Sequence, residues 1–215
     1  DLARWDRAYY VGSPAATAGT LQGKIVLDAW REDPASIDRN GDGVIQYVML
    51  EGEPGHQDAL MRTEYSVKAL MTAAVPVEKL ANDNANWERG QASLRMEQWL
   101  REFGDAIEVV FANNDDMALG AIDASLDAGM EQEDLPFIVG VDATPPALEA
   151  VAAGTLQGTV QNDAAGQAEQ ILAICCAVMD GKDPGTTLNL EDGKYAWLEY
   201  TTVTAENLAE FLPEE

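Results

Sequence analysis

Oxygen-bearing side chains occupy alternate positions along a nine-residue segment that begins at Asp38. The side chains at positions 1, 3, 5 and 9 of this segment are Asp38, Asn40, Asp42 and Gln46. Gly43 stands at position 6, where the backbone of a calcium-binding loop must turn sharply, and Val44 at position 7 would offer its carbonyl oxygen. The spacing predicts a site for a hard cation, Ca²⁺.

The segment lacks the residue that closes such a loop. A bidentate Glu stands at position 12 of an EF-hand, whereas this chain has Met49 there, inside the apolar run Val44–Leu50. That run is typical of a strand, not of the helix that follows an EF-hand loop. Two interpretations stay open: a polar turn without a metal, or a calcium site whose last carboxylate comes from a distant part of the chain.

A second group of polar residues begins at His56. Asp58 and Arg62 are four residues apart in a helix predicted to start after this histidine, so they share one face of it. Trp87 adds an indole ring. Planar polar groups make paired hydrogen bonds with neighbouring hydroxyls, while the C–H face of a pyranose packs on an aromatic ring. These residue types suit a sugar site.

Composition bounds the possible partners. The chain has 215 residues, of which 47% are apolar, enough for a substantial core. Thirteen basic and 38 acidic residues give a net charge of −25, which repels nucleic acid and anionic membranes. The cysteines, Cys175 and Cys176, are adjacent, so no disulfide framework is expected, and no apolar run approaches transmembrane length.

Apolar periodicity predicts alternating strands and helices. Strands are expected at Ala8–Val11, Ile45–Leu50, Val75–Leu80, Glu108–Ala112, Phe137–Val141, Gly158–Gln161 and Tyr195–Leu198. Helices are expected at Ala15–Trp30, Gln57–Thr72, Arg89–Phe103, Met117–Ala128, Pro146–Ala152 and Ala164–Met179. This order, with near-continuous apolar strands, predicts an α/β fold: three layers, αβα, around a mostly parallel sheet.

The predicted strand ends are polar in five consecutive cases. They carry Asn, Asp, His or Trp, which include His56, Trp87, Asn114, Asp142 and Asn162. Capping of the following helices explains part of this pattern. Ligands of parallel sheets bind at the carboxyl ends of the strands, so the same residues are candidates for a binding site.

Four segments carry a resemblance to a known family. They are Ala8–Gly12, Gly52–Thr63, Ile107–Asp115 and Gly140–Ala143, with the sequences AYYVG, GEPGHQDALMRT, IEVVFANND and GVDA. They resemble the bacterial D-galactose/D-glucose-binding proteins, and the resemblance covers essentially the whole chain. These are calcium-carrying solute-binding proteins that feed ABC transporters and, in some bacteria, chemotaxis.

The resemblance implies a monosaccharide, galactose or glucose, as ligand and an ABC transporter permease as partner. It implies sugar contacts from His56, Asp58, Arg62, Trp87, Asn114, Asp142 and Asn162. It also implies that Glu108 supplies the missing calcium ligand. The expected location is periplasmic or extracellular, with a lipid anchor in a Gram-positive host.

The resemblance also implies a division of the chain. We expect residues 1–161 to form a carboxy-terminal, type I periplasmic-binding-protein lobe with the calcium loop, and 162–190 to be a remnant of a largely missing amino-terminal lobe. Residues 191–215 would return to the first body. Half a clamp should bind sugar weakly. The apolar helix at 164–179 should either pair with a second copy as a homodimer or pack on its own lobe, and the dimer is favoured because symmetric dimers are the commonest way to bury such a surface.

Two other function classes compete with a binding protein. A carboxylate-based glycosidase could pair Asp58 with Asp142, but Arg62 favours the charged form of Asp58, which does not suit a general acid. The lone His56 has no nucleophile motif beside it, so no enzyme is expected. A sugar-responsive effector domain of a transcription regulator shares the predicted fold, but no DNA-binding segment accompanies it and the charge has the wrong sign.

Overall fold

A computed structural model describes residues 2–212 of the chain, without the side chain of residue 3. The described residues form two compact units. The larger unit contains residues 15–161 and 201–212, and the smaller contains residues 2–14 and 162–200. The predicted division differs from these units in two segments: it placed residues 2–14 and 191–200 with the larger body, whereas both group with the smaller unit.

A four-stranded parallel sheet forms the centre of the larger unit. Its strands are β2 (Ile45–Glu51), β3 (Val77–Asn84), β4 (Val109–Ala112) and β5 (Phe137–Val139). The order across the sheet is β3-β2-β4-β5, and all three pairings are parallel. Beyond β5, strand β6 (Thr159–Asn162) pairs with β8 (Tyr200–Val203). Parallel strands of this kind must be covered on both faces.

Helices cover both faces of this sheet. They are α1 (Ala15–Glu32), α2 (Gln57–Thr72), α3 (Arg89–Phe103), α4 (Asp115–Asp127) and α5 (Pro145–Ala153). Val48, Leu50 and Val110 point towards α3, α4 and α5 in one apolar core. The alternate side chains Tyr47 and Met49 point to the other face, beside α2. The predicted three-layer αβα architecture is confirmed.

The two helices of the second face approach each other through glycine. A Cβ on Gly19 would lie 2.9 Å from the carbonyl oxygen of Arg62, and one on Gly23 would overlap the carbonyl oxygen of Ser66. Gln22, between them, is buried and donates to the carbonyl oxygen of Ala112 over 2.7 Å. These contacts hold α1 against α2 and the sheet. Helix α2 carries the predicted sugar contacts Asp58 and Arg62, and His56 is its N-cap.

Three of the predicted helices agree with the structure at both ends. The helices at Gln57–Thr72, Arg89–Phe103 and Ala164–Met179 have the predicted bounds. The third strand differs, because it extends to Asn84 and not to Leu80. It lies at the edge of the sheet, where polar side chains can face solvent, so its polar end does not interrupt it. In residues 191–215 the prediction has one strand, at Tyr195–Leu198, whereas the structure has a second one, β8, at Tyr200–Val203.

The smaller unit is built on two short parallel strands. Strand β1 (Tyr10–Gly12) pairs with β7 (Tyr195–Trp197), which is why the first fourteen residues group with the later segment. Helix α6 (Ala164–Met179) packs on β1 and on the short helix α7 (Pro184–Thr187). No helix in the described part of the chain is long and apolar enough to cross a membrane.

Candidate functional site

Arg62 is the centre of the polar group at the carboxyl ends of the strands. Its side chain is only 4% exposed, and its Nη1 donates to the carbonyl oxygen of Asn113 over 2.7 Å. Carboxylates flank it on two sides: Nη2 lies 3.7 Å from Asp58 Oδ2 and Nη1 lies 3.5 Å from Asp142 Oδ1. Its Nε is buried and has no hydrogen-bond partner among the described residues.

His56 and Asp58 mark the start of helix α2. His56 is its N-cap, and Nδ1 of the imidazole accepts a hydrogen bond from the amide of Asp58 over 3.2 Å. The helix then turns once to bring Arg62 onto the same face as Asp58, as the spacing predicts. The imidazole contacts the ring of Trp87 edge to face, with the centroids 5.3 Å apart.

Trp87 provides the aromatic surface of the group. Its ring lies over Gly52, where any Cβ would overlap the indole, and the Arg62 guanidinium is 5.8 Å from the ring centroid. Its φ of 68° puts a large side chain in the left-handed region. Such backbone strain costs about 1–3 kcal/mol and is concentrated at functional sites. Its carbonyl oxygen accepts a hydrogen bond from Asn114 Nδ2 over 3.2 Å, which helps to hold this turn.

Asn114 has two structural roles. It is the N-cap of α4, where its Oδ1 accepts a hydrogen bond from the amide of Met117 over 3.1 Å, while its Nδ2 holds the carbonyl of Trp87. Each atom retains capacity for one further hydrogen bond, because an amide oxygen has two lone pairs and an amide nitrogen two hydrogens. A ligand hydroxyl can therefore share this side chain with the cap.

Asp142 lies on the turn that follows β5. Its side chain is 29% exposed, facing Arg62, and its amide donates to the carbonyl oxygen of Val160 over 2.8 Å. The backbone φ is 122° at Asp142 and 56° at Ala143, so two consecutive residues other than glycine have positive φ. The last predicted contact, Asn162, belongs to the smaller unit, where its Oδ1 accepts a hydrogen bond from Gln167 over 2.7 Å.

Two buried residues between these elements were not predicted as site residues. Asn113 accepts hydrogen bonds from the amide of Gly52 and the hydroxyl of Thr63, and its carbonyl oxygen accepts from Arg62. Asp115 accepts hydrogen bonds from Thr144 and Thr159. Burial raises the pKa of the Asp115 carboxyl to about 7. The hydrogen bonds from Thr159 and Thr144 favour the charged form and lower the pKa, but burial has the larger effect.

The predicted calcium loop is closed by its own backbone. Oδ1 of Asp38 accepts a hydrogen bond from the amide of Gly41 over 2.7 Å, and its Oδ2 accepts one from Gly43 over 2.9 Å. Gly41 and Gly43 have φ values of 74° and 79°, which the sharp turn requires. The amide of Val44 donates to Asp42 and lowers the pKa of that carboxyl. The loop therefore turns its side-chain oxygens inward.

Glu108 reaches the same loop from the residue before β4. Its side chain is 1% exposed; Oε1 accepts a hydrogen bond from the amide of Arg39 over 2.7 Å, and Oε2 accepts one from Gln46 over 3.0 Å. Gln46 in turn bonds the side chains of Asn40 and Asp42. Among the described residues no three His, Cys, Asp or Glu side chains converge on one point. The oxygen-rich donor set, which adds two amides and a carbonyl to three carboxylates, suits a hard cation.

Comparisons with known proteins place the chain in a family. The periplasmic binding protein domain matches residues 1–183. The chain is 37% identical over 214 residues to the D-galactose/methyl-galactoside binding periplasmic protein MglB of Haemophilus influenzae, covering 98% of this chain and 63% of that protein.

The chain belongs to the periplasmic binding protein family.

Other members of the family bind different polyols. A xylitol-binding protein of Mycolicibacterium smegmatis is 33% identical over 169 residues, which are 79% of this chain and 47% of that protein. An ABC transporter solute binding protein from Bacillus halodurans with bound myo-inositol is 33% identical, with a TM-score of 0.76 over 94% of this chain and 62% of that one. The chain thus spans less than two thirds of the length of these relatives.

Within this periplasmic binding protein, six of the seven predicted sugar contacts lie at one edge of the larger unit. Successive contacts join His56, Trp87, Arg62, Asp58 and Asp142. A hydrogen bond to the Trp87 carbonyl attaches Asn114 to this group. Asn113 and Asp115 flank Asn114 in a run of four polar residues. The sequence alone does not indicate which of the four are buried. Helix geometry after the strand decides which of them are buried.

Proposed function

We propose that this chain is the sugar-binding part of a solute-binding protein for D-galactose- or D-glucose-like monosaccharides. The observation that carries the proposal is the buried guanidinium of Arg62, whose Nε has no hydrogen-bond partner among the described residues. An unpaired buried donor costs about 1–3 kcal/mol and calls for a specific explanation, which a ligand oxygen that reaches the guanidinium would supply.

The surrounding groups suit a pyranose and not a charged ligand. Asp58 and Asp142 flank the guanidinium and offset its charge, so a neutral polyol that both accepts and donates hydrogen bonds fits best. The partly buried indole of Trp87 offers a surface for the C–H face of the sugar. The assignment of galactose or glucose rests on the resemblance that the four segments carry together, and that of Asn162 as a contact stays a prediction.

Side-chain NMR tests the proposal directly. The Nε–Hε signal of Arg62, assigned by its loss in Arg62→Lys, should shift on titration with D-galactose or D-glucose. The Nε–Hε signal of Arg101, whose side chain is 72% exposed, is the matched control and should not shift. We expect weak binding, with a dissociation constant of about 1 mM or higher, because half of a clamp leaves one face of the sugar in water and stacking on Trp87 adds only on the order of 1 kcal/mol. An unmoved Arg62 signal at saturating concentrations of both sugars would contradict the proposal.

The arrangement supports binding and not catalysis. Both candidate carboxylates, Asp58 and Asp142, form ion pairs with the same guanidinium, over 3.7 Å and 3.5 Å. A glycosidase requires one carboxyl to hold a proton for the leaving oxygen. Incubation with aryl glucosides and galactosides should give no turnover above that of a heat-denatured sample.

The same proposal includes a structural calcium. The calcium ion would be held by Asp38, Asn40, Asp42, the Val44 carbonyl, Gln46 and Glu108. A bound Ca²⁺ supplies positive charge that would join the loop to the start of β4, without taking part in any reaction. Glu108, the residue before β4, already accepts hydrogen bonds from the amides of Arg39 and Gln46, so its carboxylate is in reach of the loop that it would help to close.

The proposed biological role is delivery of the sugar to an ABC transporter permease, in the periplasm or at an extracellular surface. The family membership and the polyol-binding relatives support this role. ATP hydrolysis by the reconstituted permease, measured with and without the sugar-loaded protein, tests it. Stimulation by the loaded protein is expected, and equal stimulation by an unrelated acidic protein would contradict it.

Helix α6 is the proposed site of a homodimer. Ile174 and Ala177 are buried against the rest of the smaller unit, while Ile171, Leu172 and Val178 are more than half exposed. Cys175 and Cys176 are exposed on the same helix. A contiguous apolar face of this kind is uncommon on monomers, and a symmetric pair of identical helices covers it with the same face of a second copy.

A further inference from the structure

The turn that carries Asp142 has a backbone that needs support. Asp142 and Ala143 both have positive φ, at 122° and 56°, and neither is glycine. Each such residue costs on the order of 1–3 kcal/mol and persists only where its surroundings hold it. The orientation of the Asp142 carboxylate towards Arg62 depends on this turn, because the side chain follows the backbone at its own Cα.

One carboxylate holds the residue after the turn. Oδ2 of Asp115 accepts a hydrogen bond from the amide of Thr144 over 2.8 Å and a longer one, 3.3 Å, from its hydroxyl. The amide of Asp115 donates to the carbonyl oxygen of Val141 over 2.8 Å, on the other side of the turn. Asp115 therefore holds both ends of the segment between Val141 and Thr144.

A hydroxyl completes the support from the opposite side. Oγ1 of Thr159 donates to Asp115 Oδ1 over 2.6 Å and accepts a hydrogen bond from the amide of Ala143 over 3.3 Å. Gly140 makes room for this arrangement, because a Cβ there would overlap Asp115 Oδ1. Asp115 and Thr159 are fully buried, so no water competes for these bonds.

We propose that Asp115 is a positioning residue for Asp142, acting with Thr159 to fix the 141–144 turn so that the Asp142 carboxylate faces Arg62 and the ligand. The proposal rests on the proposed function only for its effect on sugar affinity; the effect on the turn stands without it. Asp115 itself is fully buried and is not proposed to touch the sugar.

Three substitutions separate this role from plain structural support. Asp115→Ala removes every acceptor, Thr159→Val removes only the hydroxyl, and Asp115→Asn keeps one acceptor for the Thr144 amide. Asp116→Asn is the matched control, since it changes a neighbouring, exposed carboxylate in the same first turn of α4. Thermal unfolding of each variant identifies any that does not fold.

The first measurement is made without sugar. Backbone chemical shifts and the φ-dependent three-bond HN–Hα couplings of residues 142 and 143 report the turn directly. They should change in Asp115→Ala and Thr159→Val, change less in Asp115→Asn, and stay as in the wild type in Asp116→Asn. Unchanged couplings in a folded Asp115→Ala variant would overturn the proposal. If that variant does not fold, the same comparison is decided by Thr159→Val and Asp115→Asn.

The second measurement is the affinity for D-galactose and D-glucose by NMR titration. If Asp142 is misplaced, the sugar loses about one buried hydrogen bond, which corresponds to about a tenfold rise in the dissociation constant. This is the rise expected for Asp115→Ala. Asp115→Asn should recover most of the lost affinity, and Asp116→Asn should stay within about twofold of the wild type. An altered turn with wild-type affinity would overturn the link to Asp142. Absence of sugar binding by the wild type would count against the proposed function, while the couplings still decide the role of Asp115.

Discussion

Arg62 Nη1 and Asp142 Oδ1 lie 3.5 Å apart, although one residue belongs to a helix and the other to a strained turn after β5. The same guanidinium donates to the Asn113 carbonyl and lies near Asp58. A single planar group therefore connects α2 with the ends of β4 and β5. This contact depends on the forked geometry of arginine, which a lysine ammonium lacks.

Arg62→Lys should reduce both sugar affinity and stability. A lysine keeps the charge but cannot reach Asn113, Asp58 and Asp142 together, so we expect at least a tenfold rise in the sugar dissociation constant and a loss of about 1–3 kcal/mol in the free energy of unfolding. Sugar titration and urea unfolding measure the two effects. Arg101→Lys, on an exposed helix face, is the control and should change neither. Wild-type affinity in Arg62→Lys would contradict the central role of the fork.

Gly23→Ala should destabilise the larger unit. A Cβ there would overlap the Ser66 carbonyl oxygen, so α1 and α2 would have to separate. Overpacking of this kind costs about 1–3 kcal/mol. Gly90→Ala is the matched helical control, since a Cβ at Gly90 meets nothing within 4 Å and alanine favours the helix by about 0.4–1 kcal/mol. Equal unfolding midpoints for the two variants would show that the helices can shift without loss.

The sequence predicted those parts of the site that follow from local spacing. Asp58 and Arg62 share a face because they are four residues apart, and His56 precedes their helix as a cap. Spacing could not supply Glu108, which is 62 residues from Gln46 and reaches the loop only because β2 and β4 are neighbours. The resemblance to a family supplied that residue instead.

Other features depend on tertiary packing that no local pattern records. Asp115 and Asp116 are adjacent carboxylates, yet the first is buried and the second exposed. The direction of the first turn of α4 decides this difference. Trp87 has positive φ, which propensity disfavours for a large side chain, and its conformation follows from Gly52 and Asn114.

Asp115 should make stability fall as the pH rises. Its pKa is about 7 in the folded protein and 3.8 when unperturbed, so between these values the folded state holds a proton that the unfolded chain has lost. This contribution is fully present below pH 3.8 and is lost as the pH passes 7. The neighbouring charge of Asp142 acts in the same direction as burial.

The expected change is on the order of 4 kcal/mol between pH 4 and pH 8, as the difference between wild type and Asp115→Asn. Urea unfolding at several pH values measures it, and Asp115→Asn should gain stability relative to the wild type as the pH rises. Asp116→Asn is exposed and serves as the control. A constant difference between wild type and Asp115→Asn across this pH range would show that the carboxyl is already ionised at pH 4.

Removal of calcium should lower the melting temperature. A ligand that binds only the folded state, at a hundred times its dissociation constant, adds about 2.7 kcal/mol, or roughly 5–10 °C for a chain of this size. Differential scanning calorimetry with and without a chelator measures the shift. Glu108→Gln should abolish the response to chelator, whereas Glu102→Gln, on an exposed helix face, should keep it. The same melting temperature with and without chelator would contradict the calcium site.

The exposed face of α6 should make the chain self-associate at micromolar concentration. Light scattering under reducing conditions is expected to give the mass of two chains, since the thiols of Cys175 and Cys176 are then unable to cross-link. Leu172→Glu places a charge on this face and should return the protein to one chain, because burying an unpaired carboxylate in the interface is unfavourable. Leu94→Glu, at an equally exposed apolar position on α3, is the matched control and should leave the dimer intact. A single-chain mass for the wild type at these concentrations would contradict the homodimer and leave the α6 face exposed in solution.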